Sequence, residues 1–224
     1  MMNLVYHFLR RNSGIFIIFL KNLIKIYNLG AIIFVFHSSG IYCGNDIPIG
    51  SLRRYSVKHF VPIPFLQNSI GQLGFVVKNI GEKIQDYYTN FGIGNWSLYV
   101  YEAPLLSFMH YYGRPVDYSF KVALSYFGNT RIELIEPLRG ETIYADFIHE
   151  HGYGLHHLGI YVLDIKEALQ QATDCGFSVI MDGGGFGLDG DGHFAYLDTE
   201  KQFDICYELI QRPARRHPPI EVFP

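Results

Sequence analysis

Two stretches of this chain repeat each other. Sliding the sequence along itself sets QLGFVVKNIGEKIQ (72–85) against HLGIYVLDIKEALQ (157–170), with Leu, Gly, Val, Ile, Glu and Gln in register at an offset of 85. A later echo, IELIEP (132–137) against YELIQRP (207–213), falls at an offset of 75, so the first copy carries about ten extra residues, placed in YEAPLLSFMHYYGRPVDY (101–118). A duplication of this kind limits the fold strongly, because each copy is one supersecondary unit that buries its apolar face against the other.

Each copy gives the same local reading. In the first, the β-rich run 72–78 precedes Ile80, Ile84, Tyr87, Tyr88 and Phe91, spaced for one face of a helix. Strands follow at 96–102, 120–127 and 130–137, the last two joined by a hairpin turn at Gly128-Asn129. In the second, strand 157–163 leads into a helix over 164–175 carrying Ile165, Ala168, Leu169 and Ala172, then strands near 177–182, 193–198 and 203–210. The expected fold is α+β: two βαβββ modules, 68–150 and 151–213, whose mixed sheet curves around a shared cleft. The Pro- and Arg-rich tail 214–224 is expected to be an extended arm packed on the domain or on a partner subunit.

Residues 1–60 read as an extension outside this unit. The segment IFIIFLKNLIKIYNLGAIIFVF (15–36) is hydrophobic, but Lys21, Asn22, Lys25 and Asn28 interrupt it. A membrane-spanning helix needs roughly 20 mostly apolar residues, and each central Lys costs about 2.5–3.5 kcal/mol. A weakly ordered amphipathic extension is the first reading, a signal or anchor the second, and a chain start assigned too far upstream a third.

Charge separates the same two regions. Residues 1–60 hold seven Lys/Arg and one acid, for +6, whereas residues 61–224 hold eleven basic and twenty acidic side chains, for −9. An acidic folded part argues against nucleic acid as a partner, since phosphate repels it. Cys43, Cys175 and Cys206 form neither a disulfide framework nor a Cys-x-x-Cys thiolate site. Buried, inert thiols are expected at Cys175 and Cys206, and a reducing cytoplasm is the simpler compartment, with anchoring through 15–36 the alternative.

The repeat places four chemistry-bearing side chains at matched positions. Gln72 and His157 open the first strand of each copy, and Glu133 and Glu208 sit in the last. Strand alternation puts Glu208 with Asp204, Cys206 and Ile210, opposite the apolar stripe Phe203, Ile205, Tyr207 and Leu209, so Glu208 is expected to face the cleft. One imidazole, two carboxylates and an amide oxygen suit a single divalent ion such as Co, Zn, Ni or Mn. Adjacent strand residues face opposite ways, so His156 is expected outside that set. His110 and His193 read as loop histidines. The glycine-rich loop MDGGGFGLDGDGHF (181–194) reads as a lid or structural turn that lets backbone approach a ligand, and it lacks the downstream Glu of a calcium loop. Glu102, Arg114, Asp117 and Tyr118 are possible substrate contacts.

The segments GQLGFVVKNI, GNTRIELIEPL, GLHHLGIYVLDI and YELIQRP resemble the vicinal oxygen chelate superfamily, in particular its methylmalonyl-CoA epimerase and lactoylglutathione lyase branches, across 70–213. The resemblance implies that Gln72, Glu133, His157 and Glu208 are the metal ligands. This set resembles that of some lactoylglutathione lyases, whereas the epimerases more often have His first and Gln second; both branches stay open. It further implies a substrate chelating the metal through two neighbouring oxygens, with an acyl-CoA thioester the leading candidate, and a homodimer. Glu208 and Glu133 are then the expected bases, on opposite sides of the reacting carbon, for proton transfer next to a carbonyl. A non-catalytic small-molecule-binding protein and an extradiol dioxygenase are the other readings; the second wants a 2-His-1-carboxylate iron site, where Gln72 supplies an oxygen instead.

Overall fold

The computed structural model describes residues 26–28, 32–37, 40–45 and 70–224, the first three stretches as backbone only. Those three are the strands β1 (Ile26–Asn28), β2 (Ile32–His37) and β3 (Gly40–Asn45) of a small antiparallel sheet. It belongs to a separate unit from the rest of the chain. Most of the hydrophobic segment 15–36 lies outside the described residues. Among the described residues no helix is long and apolar enough to cross a membrane.

The second unit runs β4 (Ile70–Val76), α1 (Ile80–Phe91), β5 (Trp96–Tyr101), β6 (Phe108–Tyr111), β7 (Arg114–Pro115), β8 (Ser119–Phe127), β9 (Thr130–Arg139) and α2 (Ile143–His151). It continues through β10 (Gly154–Tyr161), α3 (Ile165–Asp174), β11 (Val179–Gly184), β12 (His193–Leu197), α4 (Glu200–Phe203), β13 (Cys206–Gln211) and β14 (Glu221–Phe223). Its strands form one eleven-stranded sheet in the order β14-β5-β8-β9-β4-β10-β13-β12-β11-β6-β7. Outward from the antiparallel pair β4·β10, one side reads β9, β8, β5 and the other β13, β12, β11. The contacts β4–β9 and β10–β13 are parallel and the rest antiparallel. The duplication therefore folds as two βαβββ units about a pseudo-two-fold axis, in the α+β class expected, and the mixed sheet curls into a half-barrel.

Two segments close the edges. The ten-residue insertion forms the β6–β7 hairpin, which pairs with β11 of the other module. The tail crosses back so that β14 pairs with β5, helped by an Ile220 N–H donated to the Leu98 carbonyl at 2.9 Å. Each module thus covers the open edge of the other, satisfying N–H and C=O groups that would otherwise template aggregation. The arm expected of residues 214–224 packs on its own domain.

Helices α1 and α3 lie on the convex face, and α2 packs on the concave one. The Asn79 side chain accepts the Glu82 N–H to start α1, and Gly92, at φ 66°, ends it in the left-handed region. Asp164 caps α3 by accepting the N–H groups of Lys166 and Glu167. Ile80 and Ile84 pack with Trp96, Leu98, Ile132 and Leu134; Ile165, Ala168 and Ala172 pack with Ile160, Leu197 and Leu209. Each large side chain buried this way contributes roughly 1.5–3 kcal/mol. Tyr88 and Phe91 differ from expectation: at 47% and 66% exposed they lie off the packed stripe, because the contact is confined to Ile80, Ile84 and the edge of Tyr87. The last strand starts at Cys206, since residues 200–203 form the short helix α4. Helix α2 had no counterpart in the sequence reading.

The concave face carries a third apolar cluster, rich in aromatics: Tyr99, Tyr101, Tyr118, Phe120, Tyr144, Phe186, Phe194 and Tyr196. Leu209 and Tyr207 pack toward α3 while Cys206 joins the concave cluster, so β13 presents its even-numbered residues to the cleft as expected.

Candidate metal centre

The four innermost strands each place one polar side chain on the concave face. In the order β9, β4, β10, β13 these are Glu133, Gln72, His157 and Glu208, all buried. His157 Nε2 lies 3.2 Å from Glu133 Oε2 and 3.1 Å from Glu208 Oε2. The Gln72 amide donates to the same two oxygens at 3.0 and 3.1 Å. Donor atoms of Glu133, His157 and Glu208 all fall within 4.8 Å of one another.

This geometry fits a metal ion. Ligand atoms held about 2.1 Å from an ion and at right angles to one another stand about 3.0 Å apart, close to the edges of this ring. His157 Nε2 is buried and has no hydrogen-bond partner despite its two close carboxylate neighbours. Amide O and N are interchangeable by rotation of the side chain, so Gln72 can present oxygen to a cation in the same position.

Two glycines open this space, and neither was singled out from the sequence. Gly74 pairs with His157 across β4·β10, and Gly159 pairs with Gln72. A Cβ on Gly74 would overlap the imidazole atoms of His157, and one on Gly159 would stand 2.8 Å from the Gln72 Cβ and 3.3 Å from Glu208 Oε2. The signal was in plain view, for Gly74 and Gly159 are the Gly of the repeated Leu-Gly. Each module's glycine makes room for the other module's ligand.

His156 stays outside the ligand group, as expected, but not by facing the other way. The β4·β10 register slips between Leu155 and His157, so His156 is the extra residue of a bulge and its ring turns to the same side as its neighbour. Its Nδ1 lies 3.0 Å from His157 Nδ1, inside a cage of Tyr144, Phe147 and Tyr196. Burial, with the charges of His157 and His151, pushes the His156 imidazole well below its ordinary value. A neutral His156 accepts from His157 Nδ1–H and so leaves the Nε2 lone pair of His157 for a cation. Tyr196 hydrogen-bonds Glu208 and stands 2.9 Å from the Tyr144 hydroxyl. Burial and Glu208 hold the Tyr196 phenol well above its usual range, so it remains a donor.

The charges favour a cation. Burial raises Glu208, and Glu133 adds to that, while His157 opposes it. Burial lowers His157, but Glu208 and Glu133 outweigh burial and raise it to about 9. In the metal-free protein the imidazolium thus stabilises the fold below about pH 6.5, and this contribution is lost as pH rises through about 9. Metal binding runs the other way, because His157 must lose its proton first. Apparent affinity is expected to rise about tenfold per unit between roughly pH 7 and 9 and to level off above. Titration of the stripped protein with Zn or Co at several pH values checks this, and a flat profile would contradict it.

The other residues noted in the sequence lie elsewhere. Glu102 and Asp117 pair with Arg139, and Arg114 pairs with Glu141, in exposed ion pairs. Tyr118 is fully buried, its hydroxyl donating to the Asp182 carbonyl at 2.7 Å. His110 and His193 are strand residues, not loop residues, and both hold the Asp182 carboxylate, at 2.9 and 3.0 Å. Met181 packs in the concave cluster, so Asp182 and these imidazoles lie on the opposite face. The glycine-rich loop is a structural turn tied to the tail: Asp191 accepts the Ala214 N–H and Asp189 pairs with Arg215. Its glycines make room for the chain's own aromatic rings, Gly183 for Tyr118 and Phe194, and Gly184 for Phe108. Cys206 is buried, but Cys175 is exposed, because it caps α3 from outside its apolar stripe.

Residues 71–196 match the glyoxalase/bleomycin resistance protein/dioxygenase superfamily. The chain belongs to this superfamily. It is the vicinal oxygen chelate group that the sequence resembles. Among solved structures, Streptomyces coelicolor methylmalonyl-CoA epimerase in complex with 2-nitronate-propionyl-CoA is 18% identical, with 66% of this chain and 98% of that chain covered and a TM-score of 0.50. A hypothetical protein from Bacillus halodurans is 24% identical over 67% of this chain and 98% of its own, TM-score 0.47. Methylmalonyl-CoA epimerase from Mycobacterium tuberculosis is 16% identical over 64% and 87%, TM-score 0.49. At 18% identity the first of these likenesses speaks for the fold alone. No curated protein matches the chain in sequence.

Proposed function

We propose that this superfamily member is a metal-dependent epimerase or isomerase that transfers a proton next to a carbonyl, similar to methylmalonyl-CoA epimerase. The observation that carries the reading is the flanking of one buried His–Gln pair by two buried carboxylates, Glu133 and Glu208, from strands related by the pseudo-two-fold axis. Gln72, Glu133, His157 and Glu208 would hold one divalent ion, and the modules 68–150 and 151–213 would form the catalytic unit. When bound, the ion supplies Lewis-acid polarisation of two neighbouring substrate oxygens.

The protein's own groups do the rest. Glu208 takes the α-proton at a carboxylate oxygen; its burial raises its proton affinity, which suits a general base. Glu133, on the other flank, returns a proton to the opposite face, as inversion at carbon requires. The Tyr196 hydroxyl orients Glu208, and the aromatic concave face excludes water from the charge that develops. The similar epimerase of known structure is described with an acyl-CoA ligand, and an acyl-CoA thioester is the substrate class we assign.

Metal analysis of the purified protein by mass spectrometry is the test. About one transition-metal ion per chain is expected, lost in His157→Ala. Methylmalonyl-CoA should then exchange its α-proton with deuterated water in the loaded protein. A wild type that neither carries nor takes up metal would end the proposal and leave a non-catalytic binding protein.

A further inference from the structure

One end of the cleft carries a cationic row that the metal centre does not use. Arg131 sits two residues before Glu133, in register with Gln72 on β4 and with Tyr126 on β8. Ile132 and Leu134 pack toward α1 while Ile135 joins the concave cluster, so Arg131 shares the cleft face with Glu133. Its guanidinium lies over the Tyr126 ring, 5.1 Å from the centroid. Three strands along, Arg212 follows directly on β13 and lies over the ring of Tyr161, 4.7 Å from its centroid. The Tyr161 ring reaches back over Gly71, where a Cβ would collide with it. Across five strands the row reads Tyr126, Arg131, Gly71, Tyr161, Arg212.

Among the described residues neither arginine has a salt-bridge partner. The salt-bridged arginines among the described residues are Arg114, Arg139 and Arg215. Glu133, the carboxylate two residues along the same strand face, is turned to His157 and Gln72. The Nε of Arg131 is buried without a hydrogen-bond partner. A guanidinium drawn partly out of water and left unpaired costs free energy unless an anion completes it. A planar fork stacked on a ring is preorganised to bind an oxyanion through two parallel hydrogen bonds.

We propose that Arg131 and Arg212 form an oxyanion-binding site at the mouth of the cleft, which holds a carboxylate or phosphate on the part of the substrate away from the reacting carbon. The inference rests on the cleft being the substrate site, and it narrows the substrate to a compound with a second anionic group.

Calorimetry on the metal-loaded full chain tests it with three probes that share a 2-oxo acid head: 2-oxobutyrate, with no further charge; 2-oxoglutarate, with a distal carboxylate; and phosphonopyruvate, with a distal phosphonate. At least one of the latter two should bind about tenfold or more tighter than 2-oxobutyrate. Whichever does so identifies the anion. The advantage should vanish in Arg131→Gln, shrink in Arg212→Gln and persist in part in Arg131→Lys, with 2-oxobutyrate affinity unchanged throughout. Arg212 is exposed, so its variant folds and the comparison stays decisive if Arg131→Gln does not. An advantage retained in the double variant, or absent from the wild type, overturns the site. Metal content of the same samples separates this from the reading of the centre. If the wild type holds no metal, inorganic phosphate should still bind the wild type more tightly than the double variant, and equal binding overturns the row.

Discussion

Gly74→Ala is expected to abolish metal binding without touching a ligand. The added methyl would occupy the space of the His157 imidazole, which is fully buried and walled in by Tyr196 and His156. Overpacking at such a site costs about 1–3 kcal/mol, and the ring can relieve it only by moving away from the two carboxylates. Metal content should fall to background and the melting temperature should drop. Gly159→Ala should act in the same direction through Gln72 and Glu208, more mildly, because its Cβ meets them at 2.8 and 3.3 Å. Gly81→Ala is the control. It lies in α1, where a Cβ meets only Asn79 Oδ1 at 3.5 Å, and helix propensity predicts a gain of up to about 1 kcal/mol. Full metal content in Gly74→Ala would mean that His157 is not held where the structure places it.

The second large effect concerns chemistry rather than assembly. Glu208→Gln keeps an oxygen ligand and nearly the same volume but removes the group that accepts a proton. For the stereoisomer whose α-proton faces Glu208, exchange with deuterated water should slow by about 10²–10⁴-fold, the usual weight of a general base, while metal remains bound. Glu133→Gln should differ in kind. It should still exchange the proton of the stereoisomer that faces Glu208, yet fail to interconvert the two isomers, because the opposite face has lost its donor. If Glu208→Gln exchanges at the wild-type rate, Glu208 is a ligand only and the assignment of bases must be reversed. Both variants need their metal content measured, since loss of the ion would produce the same silence for another reason.

How much of this was legible beforehand differs from residue to residue. The duplication alone fixed the two βαβββ modules and the matched positions of Gln72, Glu133, His157 and Glu208, because a repeated unit must pack against its copy and so brings equivalent positions to the axis. Strand alternation also placed Glu208 on the cleft face, and the caps at Asn79 and Asp164 mark helix starts that periodicity alone had located within a residue or two. These are local or symmetry-determined properties, and they need no knowledge of distant contacts.

Contacts far apart in sequence were beyond such reasoning. His156 faces the site because of a bulge that exists only where β10 meets β4; alternation along one strand says the opposite. The insertion had no assigned place, and the tail none narrower than the domain or a partner, until each was seen on the edge of the other module's sheet. Tyr88 and Phe91 kept a helical spacing yet found no surface to cover. The Arg131–Tyr161–Arg212 row joins β9, β10 and the end of β13, and no periodicity relates those positions. Sequence determined the modules, their symmetry and the chemistry available at the axis. The tertiary structure decided which face each irregular residue took and which cations are left without a salt bridge among the described residues, because both depend on packing between segments that are 50 or more residues apart.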